Sequence, residues 1–576
     1  MRRRLARLGG CVVVSTVVLA ACAPSTPQSN VPAATARIPN TFGSRTASLA
    51  SAEHAARNLG PIPATTRVTF ELTLASRNQP ALSALLASGG RVTPAEYAAE
   101  YGPDPAAVAA VQHTLGRSGL DTNWNAGDVQ LSVVAPATSV DQFFGISLDE
   151  FRLPDGSSFR APLPSPSVPR SIAGSVTAIT GMDTYRAHGT LAIVGENGLT
   201  PTDIEDFYNM TPLRQAGLDG AGETVMFPEW AVPDSSALNA YAQKFNLPPF
   251  NVQVKTDPSW GQPDTPTSDS AGEAALDLEI VHGIAPGARE VVYELGDPSI
   301  LAMVVGQMIK EHPSAIYSSS IYDASAPCEE VAGSQDESTA IGAATQAAAA
   351  QGTTMFNASG DRGAYSCLAG MDSSLFGDVS VGPDAAPDGL TDVGGTAVFL
   401  ASNGKYFRES AWGEPLEQAG GGGGYSTVVP RPAWQKATGL DSSNHRGIPD
   451  VSCNADNVAS GWDIFIPTQN GPMEGPVGGT SAAAPCWAGI TALIDEYLTQ
   501  QKVPTVGFAN PALYFFASNP PGLPAPALHD VTEGNNLHYT ASAGWDAATG
   551  LGSPDVGALA DDFVWYATHK PSSSGT

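Results

Sequence analysis

Residues 478–485 read Gly-Gly-Thr-Ser-Ala-Ala-Ala-Pro, a run of small residues that leads into the apolar stretch 488–493. This pattern predicts a tight turn followed by a helix. The first N–H groups of a helix have no intrahelical partner, so a serine here lies where developing negative charge meets donors and the positive end of the helix dipole. We therefore predict that Ser481 is a nucleophile, although serine in this position also serves as an ordinary helix cap.

An acidic pair in the segment 272–288 is the candidate base for this serine. Glu273 and Asp277 are four residues apart, which places them on one face of a predicted helix. Two close carboxyl groups do not both ionise cheaply, so they share a proton and can relay one. The alternative is a solvated acidic face, but the surrounding Ala, Leu, Ile and Val favour burial. His282 falls off this face and is interpreted as structural.

A third carboxyl group follows the apolar stretch 353–358, which is predicted to be a strand. It belongs to Asp361, in the turn Ser359-Gly360-Asp361. A carboxylate would repel an oxyanion, whereas a protonated carboxylic acid donates a hydrogen bond to it. A rival interpretation makes His188 the base of a neutral subtilisin. That histidine lacks an upstream Asp-Thr-Gly or Asp-Ser-Gly strand end and falls in a predicted linker.

The order of these features along the chain resembles the sedolisin (serine-carboxyl peptidase) family, particularly its kumamolisin-like members. The pair Glu273 and Asp277 comes first, then Asp361, and then the motif around Ser481. The resemblance implies a subtilisin-like endopeptidase that is most active at acidic pH. It implies that Ser481 attacks the scissile carbonyl, Glu273 is the general base and acid, Asp277 orients Glu273, and Asp361 forms the oxyanion hole. A carboxylate base near its normal pKa of about 4 suits acidic media, where an imidazole with a pKa of about 6.5 stays protonated.

The resemblance extends to an outer residue of the acidic network and to a metal site. Glu229 matches an outer glutamate that bonds the base, while Ile321 replaces a tryptophan that family members often place near this network. One structural Ca²⁺ is implied in two loops near the C-terminus. Without the resemblance, two aspartates in Gly/Asn loops are more often turn formers. The implied ligands, besides water, are the carboxylates of Asp530 and Asp546 and the carbonyl groups of Val531, Ser542 and Gly544.

Charge and the N-terminus indicate the compartment. The net charge of −29 makes nucleic acid and anionic membrane surfaces poor partners. Arg2-Arg3-Arg4 precede the apolar run 11–21, which is too short to span a bilayer and is typical of a secretory signal. The run ends Leu-Ala-Ala-Cys22, which resembles a bacterial lipoprotein signal, the alternative being an ordinary cleaved signal. We therefore expect an exported protein whose precursor is anchored to the membrane only through a lipidated Cys22.

Four further cysteines in an exported chain favour disulfides. Of the three possible pairings, proximity along the chain favours Cys328–Cys367 with Cys453–Cys486.

The pattern along the chain predicts two folded domains. Residues 59–182 mix strands and helices, which indicates an α+β (ferredoxin-like) domain. This domain resembles the pro-kumamolisin activation domain and is expected to act as inhibitor and chaperone. Residues 200–566 alternate apolar strands and helices, which predicts a doubly wound α/β domain with a mostly parallel sheet. The remaining segments are a signal peptide (1–22), a flexible tether (23–58), a cleavable linker (183–199) and a disordered tail (567–576).

The leading function is thus a self-activating peptidase precursor that acts on polypeptide substrates. The alternative is a calcium-stabilised, lipid-anchored binding protein that retains an inactive peptidase fold.

Overall fold

The computed structural model describes residues 37–39, 56–154, 156–185, 198–297, 300–321, 328–329, 334–369 and 377–569. The predicted signal peptide, Cys22 and His188 lie outside the described residues, as do most of the predicted tether and linker. Among the described helices, none is both long and apolar enough to cross a membrane.

The N-terminal unit contains small antiparallel sheets and four helices, as the α+β prediction required. Its main sheet has the strand order β4-β5-β3-β9, and a smaller sheet has the order β2-β6-β7. The helices are Gln79–Ala87, Pro94–Glu100, Pro105–Gly116 and Ala137–Phe144. The strands are β1 (Arg37–Pro39), β2 (Arg57–Pro61), β3 (Arg67–Leu74), β4 (Asp121–Asn123), β5 (Gln130–Pro136), β6 (Ser147–Arg152), β7 (Ser158–Leu163), β8 (Ser167–Pro169) and β9 (Val176–Thr180).

Successive side chains of β3 point to opposite faces of its sheet, and the two faces have different surroundings. Phe70 and Leu72 belong to the core of the N-terminal unit, whereas Glu71 and Thr73 occupy alternate positions of the same strand. Thr73 donates a hydrogen bond to Gln130, whose amide reaches Ala340 of the C-terminal unit. The second face of this sheet therefore packs against the rest of the molecule.

Strand pairing begins inside the segment predicted to be a tether. Strand β1 pairs antiparallel with β8, and β2 starts at Arg57, two residues before the predicted domain boundary. Short strands thus occur within the segment 23–58 that was predicted to be a flexible tether, because backbone pairing with a distant strand leaves little trace in a composition rich in Ala, Ser, Thr and Pro. At the other end, the last helix runs to His569 and so includes three residues of the predicted tail.

The C-terminal unit is built around an eight-stranded sheet with the order β11-β12-β10-β13-β14-β15-β16, in which β21 also pairs with β15. Its strands are β10 (Thr224–Glu229), β11 (Val252–Thr256), β12 (Arg289–Glu294), β13 (Ile316–Ser319), β14 (Thr354–Ala358), β15 (Thr391–Leu400), β16 (Tyr406–Ala411), β17 (Gly413–Glu414), β18 (Ala419–Gly420), β19 (Gly424–Pro430), β20 (His445–Ile448), β21 (Val451–Asn454), β22 (Trp462–Ile466), β23 (Met473–Val477), β24 (Leu528–His529) and β25 (Ser553–Pro554). The helices are Pro201–Phe207, Thr211–Gln215, Ser235–Phe245, Asp269–Ile284, Leu301–Glu311, Ser334–Ala350, Thr480–Gln500, Asn510–Ala517 and Val556–His569.

All pairs in this sheet are parallel except β15 with β16. The acidic helix (Asp269–Ile284) and the serine helix (Thr480–Gln500) pack against each other, and the helices Leu301–Glu311 and Ser334–Ala350 form another packed pair. Strand order reverses at β10, which lies between β12 and β13. Ligands of such sheets bind beyond the carboxyl ends of the strands near this switch point.

Both disulfides have the pairing favoured by proximity along the chain. Cys328 is bonded to Cys367 and Cys453 to Cys486. The second disulfide is fully buried and joins β21 to the serine helix, five residues after Ser481. It therefore ties that helix directly to the sheet.

Candidate active site

Three strands of the parallel sheet bring polar side chains to its carboxyl edge. Glu229 is the last residue of β10, Ser320 directly follows β13, and Asp361 lies three residues beyond β14. Because neighbouring parallel strands end at the same edge, these residues from distant parts of the chain meet there.

The acidic helix lies beneath the serine helix and is buried on nearly every side. Its start is capped by Ser268, whose hydroxyl accepts a hydrogen bond from the N–H of Ala271 at 3.2 Å. Glu273 and Asp277 follow one turn apart, and the Glu273 carboxyl group lies close enough to Ser481 for that hydroxyl to lower its pKa. The structure thus brings together the predicted nucleophile and the predicted base.

Asp361 is held at the N-terminus of the serine helix. Its Oδ1 accepts hydrogen bonds from the backbone N–H and the hydroxyl of Thr480, at 2.7 and 2.8 Å. Gly479 has φ 102°, and an added Cβ there would lie 2.8 Å from Asp361 Oδ2. Only glycine therefore allows the close approach of this carboxyl group to the turn before Ser481.

Burial controls the protonation of the site. It raises the pKa of Glu273 to about 7, with an opposing effect from the Ser481 hydrogen bond and a further increase from the charge of Asp361. Burial also raises the pKa of Asp361, although the hydrogen bonds from Thr480 oppose this. The expectation of a base near its ordinary pKa was therefore wrong, because the sequence pattern does not report the cost of desolvating a carboxylate.

Asp277 and Glu229 form the inner end of the acidic network. Asp277 is 0% and Glu229 1% exposed, and burial followed by the neighbouring carboxylates raises both pKa values well above their usual range. Such groups hold protons through the acidic range, so Asp277 and Glu229 can share one between them.

Two side chains of the site escaped the sequence analysis. Ser320 donates to Asp277 Oδ1 at 2.7 Å, and Thr480 holds Asp361 as described above. Ser320 ends a run of three serines at the carboxyl end of an apolar strand, which is a signal that the sequence analysis could have used. Ile321, at the position where the resemblance implies a tryptophan, has no polar side-chain atom and cannot extend the network.

The predicted calcium ligands lie in two adjoining loops. Asp530 Oδ2 accepts from the N–H of Gly544 at 3.0 Å, and Asp546 Oδ2 accepts from the N–H of Ser542 at 2.8 Å. No donor among the described residues bonds the carbonyl oxygens of Val531, Ser542 or Gly544. Within the part of the chain that the structure describes, no three His, Cys, Asp or Glu side chains form a metal-binding group. Two carboxylates and free carbonyl oxygens are nevertheless a donor set that fits a hard cation such as Ca²⁺.

Comparisons with known proteins agree with this architecture. The family model of the pro-kumamolisin activation domain matches residues 54–185. Kumamolisin of Bacillus sp. (strain MN-32) is 32% identical, over 74% of this chain and 77% of that protein. Sedolisin of Pseudomonas sp. (strain 101) is 26% identical, over 81% of this chain and 80% of that protein.

A solved structure also matches this chain. It is Pseudomonas sedolisin, a serine-carboxyl proteinase, in complex with two molecules of pseudo-iodotyrostatin. The match has a TM-score of 0.55 at 26% identity and covers 65% of this chain and 100% of that chain.

Fold and comparisons together define a subtilisin-like serine peptidase with an N-terminal activation domain. Within that class, the chain belongs to the sedolisin family of serine-carboxyl peptidases. The comparisons give no support to the alternative of an inactive binding protein.

Proposed function

We propose that this chain is the exported precursor of an acid-active endopeptidase that removes its own N-terminal domain. The observation that carries the proposal is that Thr480 holds Asp361 at the N-terminus of the serine helix, next to Ser481, while the Glu273 carboxyl group lies close enough to Ser481 for that hydroxyl to lower its pKa. A nucleophile, a base and an acid thus converge at the edge of the sheet where ligands of this fold bind.

In the proposed reaction, Ser481 Oγ attacks the scissile carbonyl carbon while Glu273 takes the hydroxyl proton. The tetrahedral intermediate collapses, the C–N bond breaks, and Glu273 returns the proton to the departing amine. Water then hydrolyses the acyl-enzyme, with Glu273 again acting first as base and then as acid.

Asp361 and Asp277 assist without forming covalent bonds to the substrate. Protonated Asp361, together with the N–H of Ser481 at the helix N-terminus, donates hydrogen bonds to the oxyanion. Asp277 lies one turn from Glu273 and is itself held by Ser320, so it orients the base and shares its charge.

The protonation of these groups supports an acidic working range. The reaction needs one negative charge on Glu273 and one proton on Asp361. This singly charged state of the pair lies between its two ionisation steps. Because the charge of Asp361 contributes to the pKa of about 7 for Glu273, that value marks the second step. In the singly charged state below it the two carboxyl groups exchange one proton, and the reactive form is the one with that proton on Asp361. Activity should therefore fall as pH rises through about 7, and again in strong acid when the pair is fully protonated.

One Ca²⁺ ion is proposed in the two loops near the C-terminus. Asp530 and Asp546 would provide carboxylate ligands, and Val531, Ser542 and Gly544 would provide carbonyl oxygens. When bound, the ion would neutralise the two carboxylates and hold the loops together, and it takes no part in the reaction.

We further propose that the chain is exported, lipidated at Cys22 and cleaved within residues 183–199. Two disulfides in the described part of the chain suit an oxidising compartment. Cleavage in this linker would leave the lipid anchor on the activation domain, so the peptidase could diffuse away.

Acidification of the purified full-length chain tests the proposal. At pH about 4, the wild-type chain should cleave within 183–199, as N-terminal sequencing of the product would reveal. Ser481→Ala should stay intact, and Glu273→Gln should lose about 10²–10⁴-fold in rate because the general base is gone. His188→Ala is the control: activity that survives Glu273→Gln but not His188→Ala would replace this mechanism with that of a neutral subtilisin.

A further inference from the structure

The hydroxyl of Ser320 has two acceptors that belong to different parts of the active site. It lies 2.7 Å from Asp277 Oδ1 and 3.1 Å from the backbone carbonyl oxygen of Ser481. Ser320 is 9% exposed, so water has little access to this position. One small side chain therefore bridges the acidic helix and the serine helix at the catalytic residues.

Pro485 explains why the Ser481 carbonyl oxygen is available. In an α-helix this oxygen would accept from the N–H four residues later, but proline has no N–H. A buried carbonyl without a partner costs free energy, and the Ser320 hydroxyl supplies the missing donor.

A hydroxyl has one proton and can fully satisfy only one of these acceptors. When Asp277 is ionised, its charge draws the Ser320 proton. When Asp277 is protonated, its own proton can go to Ser320 Oγ, and the Ser320 proton turns to the Ser481 carbonyl. The direction of this hydrogen-bond chain thus follows the charge of Asp277.

We propose that Ser320 is a positioning residue that couples the protonation of Asp277 to the placement of the nucleophile Ser481. The inference rests on the proposed function and adds a component to its acidic network. The side chain of Ile321, the next residue, has no hydrogen-bond donor. The segment that follows β13 therefore contributes a side-chain donor to the network through Ser320.

Other ionisable groups face Asp277 from each neighbouring element. They are Glu273 on the same helix, Glu229 at the end of β10 and Tyr317 on β13, with Asp361 beyond Glu273. Because these groups titrate together, loss of a donor to ionised Asp277 makes the whole set bind its protons more tightly.

The pH dependence of peptide hydrolysis by the activated enzyme tests the inference. Ser320→Ala should move the kcat/KM profile to higher pH by about one unit, because the charged form of the network loses a donor. The decrease in the activity of Ser320→Ala should appear mainly in kcat rather than in KM, since Ser320 is not expected to contact the substrate. Ser320→Thr retains the hydroxyl and should restore the wild-type profile.

Ser318→Ala is the matched control. Ser318 lies two residues earlier on β13, is 0% exposed and has no hydrogen-bond partner for its hydroxyl among the described residues. The pH profile of kcat/KM for Ser318→Ala should coincide with that of the wild type. A Ser320→Ala profile that superimposes on the wild type, or an equal shift in Ser318→Ala, would overturn the inference. If Ser481→Ala cleaves as well as the wild type, the proposed function itself fails.

Discussion

Burial sets the chemistry of individual residues at this site. Asp361 is enclosed beside the serine helix, and burial raises its pKa, which favours the protonated form more than in an exposed aspartate. Glu273, enclosed in the same way, becomes a stronger base than an exposed glutamate. Two carboxyl groups can therefore take opposite roles because each is tuned by its own contacts.

Asp361→Asn tests the role of this proton. Asparagine donates a hydrogen bond at every pH and carries no charge, so Glu273 also loses the repulsion that raises its pKa. We expect a lower kcat, by about 10²-fold because an amide is a weaker donor, and a profile that no longer declines as pH rises through about 7. Rates at saturating peptide between pH 3 and 9 measure both effects. An alkaline decline that persists in the variant would mean that another group controls it.

The serine helix is fixed in place by its first turns and by a disulfide. The serine helix begins at a glycine with positive φ, has Pro485 in its second turn, and is fixed to β21 by the Cys453–Cys486 disulfide. The loops that contain Asp530 and Asp546 lie beyond this helix in the chain, and the hydrogen bond from the N–H of Gly544 to Asp530 joins them. A Ca²⁺ ion bound by the proposed ligands of both loops would tie them together.

Removal of calcium should therefore destabilise the folded enzyme. We expect a chelator to lower the melting temperature of the wild-type enzyme, because the free energy of ion binding is lost from the folded state. Asp530→Ala should melt at the lower temperature with or without chelator. Asp561→Ala, an aspartate on the last helix, should respond to the chelator as the wild type does. A chelator effect that survives Asp530→Ala would place the ion elsewhere.

The whole molecule is a precursor with the N-terminal unit docked on the outer helices of the peptidase. Lys310 pairs with Asp128 at 2.7 Å, and the N–H of Val92 donates to the carbonyl of Ala350 at 2.9 Å. Arg91 donates to Thr505 and to the carbonyl of Val506, and it lies near the buried carboxyl group of Asp495.

The Arg91 contact should make docking sensitive to acid. Burial raises the pKa of Asp495 to about 7, and the positive charge of Arg91 lowers it. Release of Arg91 therefore raises the proton affinity of Asp495, so that protons and the N-terminal unit compete. The stabilisation is fully present above the higher pKa of the undocked state and is lost as pH falls from there through about 7.

Arg91→Met should accordingly activate faster near neutral pH, by about tenfold if one charge-assisted hydrogen bond is lost, and with less dependence on pH. The matched control is Arg67→Met, because Arg67 pairs with Asp121 within the N-terminal unit. Time courses of precursor cleavage from pH 4 to 7 give the comparison. Equal rates for both variants and the wild type would remove Arg91 from the activation step.

Local patterns predicted strongly periodic elements well and weak ones poorly. Strand β3 follows the alternation of its sequence, and the helix Pro94–Glu100 begins with a capping box in which Thr93 and Glu96 bond reciprocally. The helix Ala137–Phe144 gives a weaker signal because it is short and its N-terminus lacks a side-chain cap. This helix ends at Gly145, which has the left-handed conformation at φ 71°.

The sequence by itself determined the residue types at the candidate site, their order along the chain and the alternation of elements that builds a parallel sheet. These features depend on local composition and periodicity, which can be read without coordinates. The tertiary structure alone decided that Ser320 and Thr480 join the site, that the pKa of Glu273 is raised, and where the N-terminal unit docks. The reason is physical: desolvation and hydrogen bonding here arise between residues far apart in the chain, and only packing brings them together.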